Sequence, residues 1–106
     1  MSLWPKDWKI RLRYNKLTTP FKHYTLIADV TVGEIDDNYN CPPGNAFVAI
    51  KVWAESDDQA VDILEQEGID IGFTIKNKVQ IYYTDPQQPP GESPIVYYIN
   101  FTPYVK

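Results

Sequence analysis

The sequence holds very few of the residues that most often carry out catalysis or bind metals. Among its 106 residues there is one cysteine, Cys41, and one histidine, His23. A lone cysteine cannot form an internal disulfide, and a lone histidine cannot build a site with two histidine ligands. Cys41 also lies among acidic residues, which raise the pKa of a thiol and so disfavour a reactive thiolate. These scarcities argue against a disulfide scaffold, a metal centre and a Cys–His nucleophile.

Familiar catalytic motifs are missing as well. The sequence has no glycine-rich phosphate loop, no nucleophile elbow and no Cys-x-x-Cys pair. Asp36–Asn40 begins like a calcium-binding loop, but Cys41 stands where such a loop needs glycine and Phe47 where it needs glutamate. The sequence therefore favours a non-catalytic protein that uses no cofactor and no metal.

Long hydrophobic runs are absent too. No apolar stretch approaches the roughly 20 residues that span a bilayer, and Pro5, Lys6 and Asp7 interrupt any signal-like core near the start. We therefore expect no membrane association and a cytoplasmic, reducing location. A chain of 106 residues is expected to form one domain over residues 1–106.

Basic side chains are scarce beyond the first 24 residues. Residues 1–24 carry six of the ten lysines and arginines, whereas the rest carries thirteen acidic residues and four lysines. The net charge is −4, so the protein is acidic. Phosphate contacts need a net positive surface, and the charge therefore argues against a nucleic-acid partner.

Most of the chain consists of short stretches in which hydrophobic and polar residues alternate. This period of two predicts strands with one buried face. Asn77 predicts a tight turn, and Asp36–Asn45 and Asp85–Pro94 predict exposed loops because both contain proline and glycine. The predicted strands are Lys9–Tyr14, Tyr24–Val32, Ala46–Ala54, Ile69–Ile75, Val79–Tyr83 and Ile95–Phe101.

One segment has the pattern of a helix instead. Ser56 with Gln59 three residues later is a capping box, and the aspartates that follow Ser56 suit the positive end of a helix dipole. Gly68 predicts the left-handed residue that ends the helix. We predict that the apolar side of this helix packs on the third strand, with Ala60, Val61 and Leu64 on Val48, Ile50 and Val52.

Together these elements predict an α+β fold. It consists of one α-helix packed on a five- or six-stranded, mainly antiparallel sheet, with the order β-β-β-α-β-β-β. The strand–helix–strand centre is partly ferredoxin-like in architecture, and an architectural likeness of this kind implies no function.

Aromatic residues are abundant, at 14% of the chain. If Ile95 and Tyr97 point to the core with Ile99 and Phe101, aromatic and arginine side chains share the sheet face that the helix leaves open. Such a mixture is typical of recognition surfaces. We therefore predict a module that binds a protein partner or a second copy of itself as a homodimer. The residues predicted to form the surface are Phe47, Trp53, Tyr82, Tyr98, Arg11 and Arg13.

Other functions stay open at this point. An immunity-like or antitoxin-like inhibitor is one version of the interaction module, because an acidic surface attracts a basic partner. A small-molecule binder or minor enzyme would use a pocket near the proline-rich loops, lined by His23, Tyr39 and Tyr82. A single-strand nucleic-acid binder would stack bases on Trp53 or Tyr98.

Overall fold

The computed structural model describes residues 5–14 and 16–104 of the chain. It is an α+β fold with one main helix and a five-stranded antiparallel sheet, which confirms the predicted class. The predicted element order and the ferredoxin-like arrangement are not confirmed. Within the described ranges, no helix is long and apolar enough to cross a bilayer. The elements are α1 (Trp8–Arg13), β1 (Lys22–Val32), a 3-10 turn (Asp37–Tyr39), β2 (Gly44–Ala54), α2 (Asp57–Ile71), β3 (Phe73–Ile75), β4 (Gln80–Tyr83) and β5 (Ile95–Pro103).

Strands β1 and β2 form the centre of the sheet and are 11 residues long each. Their register aligns Leu26 with Ile50 and Ala28 with Val48, so alternate residues of both strands point to the same side. Strand β5 pairs with the other edge of β2 and aligns Ile99 with Ile50. Strands β3 and β4 both pair with the free edge of β1.

The predicted tight turn at Asn77 does not fold β4 back onto β3, because the two strands follow one another along the same edge of β1. The register pairs Ile75 with Val30 and Gln80 with Ile27. Residues 76–79 therefore form a bulge that interrupts this edge strand. Lys76 N donates a hydrogen bond to Asp29 O at 2.8 Å and holds the start of the bulge on β1.

Helix α2 begins where the sequence predicts. Ser56 is the N-cap, and its Oγ accepts a hydrogen bond from Gln59 N at 3.2 Å. Gln59 Oε1 in turn accepts a hydrogen bond from Glu55 N at 2.7 Å. The predicted end at Gly68 is wrong, since the helix continues for almost another turn and ends before Gly72. Gly72 has a φ of 120°, which is strained for any residue with a Cβ.

The core lies between α2 and one side of the sheet, which we call the inner face; the opposite side is the outer face. Ala60 and Leu64 on α2 are fully buried and Val61 is half-buried, which confirms the predicted contact face of the helix. Beneath them lie buried residues of the two central strands: Leu26, Ala28, Val30, Val48, Ile50 and Val52. The predicted seat of the helix on β2 is therefore also confirmed.

The first predicted strand is wrong, since Trp8–Arg13 forms a short helix. Trp8 and Leu12 are both half-buried and lie four residues apart, which is helical spacing. Lys9 Nζ lies 3.1 Å from Asp85 Oδ2, and this ion pair ties α1 to the segment after β4. The basic side chains of α1 are therefore not part of the sheet.

Candidate interaction surface

The outer face of the sheet is the candidate functional surface. Its residues alternate along each strand with those of the core, so the strand register identifies them. They include His23, Thr25, Ile27 and Asp29 of β1, Phe47, Ala49, Lys51 and Trp53 of β2, Gln80 and Tyr82 of β4, and Tyr98 and Asn100 of β5. This face therefore carries aromatic and aliphatic side chains and few charged ones. One part of it is covered by the chain itself, and another part is open.

One end of the outer face is covered by the chain itself. Residues 85–90 cross it, and Pro90 is buried. Trp53 Nε1 donates a hydrogen bond to Gln88 O at 3.0 Å, and Trp53 is 2% exposed. The sequence predicts an exposed loop here and a Trp53 that faces a protein partner or a second copy. The loop itself supplies the cover, so Trp53 cannot contact a partner while the loop stays in place.

His23 lies buried beside Trp53, and both of its ring nitrogens are hydrogen-bonded. Nδ1 is 2.9 Å from the carbonyl oxygen of Thr84, which can only accept, so Nδ1 carries the proton. Nε2 then accepts a hydrogen bond from the Tyr97 hydroxyl at 2.5 Å, and Tyr97 Oη accepts one from Gln87 N at 3.2 Å. The network joins β1, β5 and the covering loop around a neutral His23.

We expect this network to make the stability of the protein depend on pH. Burial lowers the pKa of His23 below its ordinary 6.5; the charges of Lys51 and Lys9 lower it further, whereas the Thr84 carbonyl and Asp85 oppose the shift. The unfolded chain therefore takes up this proton at a higher pH than the folded chain. The His23 contribution to stability is complete above about pH 6.5 and decreases as the pH falls toward the folded-state pKa.

Urea unfolding at a series of pH values from about 7.5 to about 5 should detect this loss. The matched control is His23→Gln, which cannot be protonated, so its free energy of unfolding should change less across the interval. A wild-type profile as flat as that of the variant would contradict a buried, neutral His23.

The centre of the outer face is open. Phe47 is 47% exposed, Tyr82 48% and Tyr98 42%. Ile27 and Ala49 lie side by side between them and are half-buried. Exposed rings that share one face are typical of binding surfaces, because rigid side chains lose little entropy on contact. We call Phe47, Tyr82 and Tyr98 the open aromatic patch.

The charged side chains of β1 and β2 on the outer face are already engaged. Lys51 Nζ lies 4.8 Å from the centre of the Tyr98 ring and donates a hydrogen bond to Gln87 Oε1 at 2.6 Å. Asp29 accepts a hydrogen bond from the Tyr104 hydroxyl, and this bond lowers the pKa of the Asp29 carboxyl below its usual value. A partner that covers this face would therefore bury few uncompensated charges.

A bulge in β5 changes which residues reach the outer face. The register pairs Lys51 with Tyr98 and Val52 with Val96. Tyr97 is therefore an extra residue, and the strict alternation that turned Ile95 and Tyr97 inward is wrong. The Tyr97 hydroxyl instead reaches His23, and Ile95 lies opposite the outer-face residue Trp53.

Arg11 and Arg13 do not join the open aromatic patch. The prediction required them on a strand of the sheet, whereas both lie exposed on α1. The Arg11 Nε contacts the carboxylate of Asp7 at 2.9 Å, and this hydrogen bond lowers the pKa of Asp7. The basic residues of α1 thus lie beside the sheet, near the covering loop.

The residues predicted to line a small-molecule pocket are not brought together. Tyr39 packs edge-on against Phe101, with ring centres 5.6 Å apart, at the inner-face core. Tyr82 is exposed on the outer face, and His23 lies under the loop with no free ring nitrogen. The arrangement therefore gives no support to a pocket that combines these three residues.

The single cysteine has no reactive surroundings. Cys41 is half-buried, and burial raises the pKa of its thiol. The Cys41 Sγ lies 3.5 Å from the carbonyl oxygen of Pro42. Within residues 5–14 and 16–104, no group of three His, Cys, Asp or Glu side chains is arranged to hold a metal ion.

The predicted surface omits Lys51 and Tyr104, whose side chains contact its aromatic rings. Lys51 alternates with Phe47 and Trp53 along one strand, and this alternation could have identified it. Tyr104 follows Pro103, the last residue of β5, and its ring packs against Phe47 with centres 5.0 Å apart. The aromatic surface therefore extends beyond the open aromatic patch to the end of β5.

Chemically, the outer face offers contact area and hydroxyl groups rather than a reactive group. Its histidine is bonded at both nitrogens, and its lysine and aspartate are engaged with neighbours. Such a surface can bind a complementary surface of similar character. No protein-family model matches this sequence, and no curated protein or solved structure does.

Proposed function

We propose that this chain is a non-catalytic interaction module that binds a protein surface through the open aromatic patch and self-associates there. The observation that carries the proposal is the exposure of Phe47, Tyr82 and Tyr98 on one side of a sheet, around half-buried Ile27 and Ala49. Contiguous exposed apolar surface is uncommon on proteins that stay alone in water.

The energetics of the open aromatic patch favour a protein partner. Tyrosine and phenylalanine bury large areas, and a few such residues near the centre of an interface supply most of its binding free energy. The half-buried Ile27 and Ala49 between them form a flat base, as interface cores have. Because Lys51 and Asp29 already have partners, little desolvation cost opposes association.

The distribution of charge supports a second copy as that partner. Two copies that met through α2 would repel one another, because α2 has six acidic and no basic residues. On the outer face, Lys51 and Asp29 are of opposite sign, and Ile95–Tyr104 contains no charged residue. A two-fold axis would place the same patch on both sides of the contact, which is the commonest form of homodimer.

Analytical ultracentrifugation from low micromolar to near-millimolar concentration tests the proposal. We expect a monomer–dimer equilibrium, and we expect the double change Tyr82→Ser and Tyr98→Ser to weaken it by about tenfold or more, which is about 1.4 kcal/mol. The matched control is Tyr83→Ser. Tyr83 is the neighbour of Tyr82 and is more exposed, at 70%, but it lies on the opposite side of the strand.

Two results would contradict self-association through the open aromatic patch. One is a wild-type chain that sediments as a monomer at all concentrations. The other is a dimer that Tyr83→Ser weakens as much as the double change, because contacts would then not be specific to the outer face.

A further inference from the structure

A second surface lies on the inner side of the sheet, between α2 and the edge strand β3. There the helix and the strand form a groove of about 460 Å³, which we call the edge groove. Its walls are mainly aliphatic, with Val61 and Ile69 on α2 and Ile75 and Val79 on and after β3. Glu65 supplies a carboxylate on the helix side. The edge groove is thus an apolar channel with an acidic wall.

The backbone of β3 faces the edge groove with unused hydrogen-bonding groups. Gly33 N donates to Gly72 O at 2.9 Å, and Lys76 N donates to Asp29 O at 2.8 Å. In an antiparallel ladder, residues that bond to the neighbouring strand alternate with residues that do not. Gly72 and Lys76 bond to β1 and its extension, so Phe73 and Ile75 lie opposite β1 without bonding to it. Their N–H and C=O groups therefore point away from β1, toward the open edge.

The carbonyl group of Phe73 is close to helix α2. A Cβ on Gly68 would come within 2.7 Å of Phe73 O, so glycine at this position leaves room for the carbonyl. The Phe73 N–H and both groups of Ile75 remain directed to the edge. Backbone groups that point away from the sheet at an edge strand are a template for an additional strand.

Ile69 is the second feature that indicates a ligand. It is 77% exposed, more than the other large hydrophobic residues in the described part of the chain. It stands on the rim of the edge groove, where a bound segment would cover it. Removing such a side chain from water stabilises a complex in proportion to the apolar area that becomes buried.

The charges of helix α2 indicate the sign of the charge that a ligand of the edge groove carries. Helix α2 carries six acidic and no basic residues, and its last turn, beside β3, has no cation to balance the negative end of the helix dipole. Lys76 is directed elsewhere, with its Nζ 3.1 Å from Asn45 Oδ1. Lys78, like Lys76, lies between two groove-lining residues on the strand side, which for Lys78 are Asn77 and Val79. The helix side therefore attracts a positively charged segment.

We infer that the edge groove binds an extended segment of a partner protein, in which basic residues alternate with aliphatic ones, as an additional strand beside β3. Main-chain bonds to Phe73 and Ile75 hold the segment, and its aliphatic side chains enter the edge groove next to Ile69. This is strand addition to a sheet edge next to a helix, a recurring mode of peptide recognition. The site is independent of the open aromatic patch, which lies on the opposite side of the sheet.

Nuclear magnetic resonance titration with a synthetic peptide tests this inference. The probe is an end-blocked heptapeptide of alternating lysine and valine, and the comparison peptide has glutamate in place of lysine. We expect the probe to shift the amide signals of Phe73 and Ile75 and to bind about tenfold or more tightly than the glutamate peptide at low salt.

Two variants separate the edge groove from general charge attraction. Ile69→Lys should weaken binding of the probe by about tenfold or more, because it removes apolar contact and adds a like charge. The matched control is Ile10→Lys, which makes the same change at an isoleucine that is 59% exposed on α1; it should leave the affinity unchanged. Ile75→Pro removes the outward N–H together with the Ile75 side chain on the groove wall, but no bond to β1, so it should keep the fold and lose binding.

Specific results would overturn the inference. They are equal binding of the two peptides, equal effects of Ile69→Lys and Ile10→Lys, or shifts confined to the outer face. Shifts of Phe73 and Ile75 that appear with protein concentration alone would also overturn it, because a second copy would then occupy the edge groove. If Ile75→Pro does not fold, the comparison of Ile69→Lys with Ile10→Lys decides.

Discussion

Replacing Leu64 by alanine should lower the free energy of unfolding by about 2–5 kcal/mol. Leu64 is fully buried on α2, above the inner face of β1 and β2. Alanine would remove three carbon atoms from this interior and leave a cavity that the rigid sheet cannot close. A loss of this size corresponds to a fall in melting temperature of roughly 10 °C or more for a domain of this length. Urea unfolding followed by circular dichroism measures it.

The control for this prediction is Ile69→Ala in the same helix. Ile69 is 77% exposed, so its truncation should change stability by no more than about 0.5 kcal/mol. Both substitutions introduce alanine, which has a high helix propensity. The difference between their losses of stability therefore reports the burial of the residue that was replaced. If Leu64→Ala were as mild as Ile69→Ala, the packing of α2 on the inner face would be wrong.

The centre of the fold could be predicted from the sequence because its local signals agree. Ser56 and Gln59 define the start of α2, and the alternation in Tyr24–Val32 and Ala46–Ala54 defines the strands beneath it. Each pattern buries its apolar residues in only one arrangement, and that arrangement also buries the apolar residues of the neighbouring elements. Agreement of this kind between local and tertiary preferences makes a structure predictable.

The end of α2 could not be predicted because two glycines compete. Gly68 resembles a helix stop, and Ile69, Ile71 and Phe73 after it alternate like a strand. In the structure, Gly68 is needed inside the helix because the carbonyl of Phe73 passes within 2.7 Å of where its Cβ would be. The stop is Gly72, whose φ is positive. Only the tertiary contact distinguishes the two roles.

The helix in the N-terminal segment could not be predicted for a related reason. Ile10, Leu12 and Tyr14 alternate with basic residues, which suggests a strand. The segment forms one short helix instead, and its half-buried residues, Trp8 and Leu12, follow helical spacing. Six residues are too few for the hydrophobic period to decide between helix and strand.

The candidate surface was predicted only in part. Alternation along β2 correctly placed Phe47 on the face opposite the helix, and Tyr82 and Tyr98 lie on that face too. The covering loop could not be foreseen, because separate hydrogen bonds hold it rather than a hydrophobic period: Gln87 bonds with Tyr97 and Lys51, and Gln88 accepts a bond from Trp53. Long-range bonds of this kind leave no pattern in the sequence.

Replacing Trp53 by alanine should destabilise the protein by about 3–5 kcal/mol. From the sequence alone, Trp53 belongs to a surface that binds a protein partner or a second copy, so a change there would separate the two and spare the fold. In the structure its ring packs edge-on against His23, with centres 5.1 Å apart, and its Nε1–H binds Gln88 O. Truncation would therefore remove a buried ring, leave a carbonyl without its donor and release the loop that covers His23.

Phe47→Ala is the matched control for Trp53→Ala, because Phe47 is an aromatic residue of the same strand on the same face but is 47% exposed. We expect its loss to cost about 1 kcal/mol or less in stability and to weaken self-association instead. If the covered end supports the fold and the open aromatic patch binds a partner, the two measurements should rank the variants in opposite order. Trp53→Ala should lose more stability in urea unfolding, and Phe47→Ala should lose more self-association in sedimentation. A Trp53→Ala protein that kept wild-type stability and lost only self-association would show that Trp53 belongs to the interface and that residues 85–90 do not cover it in solution.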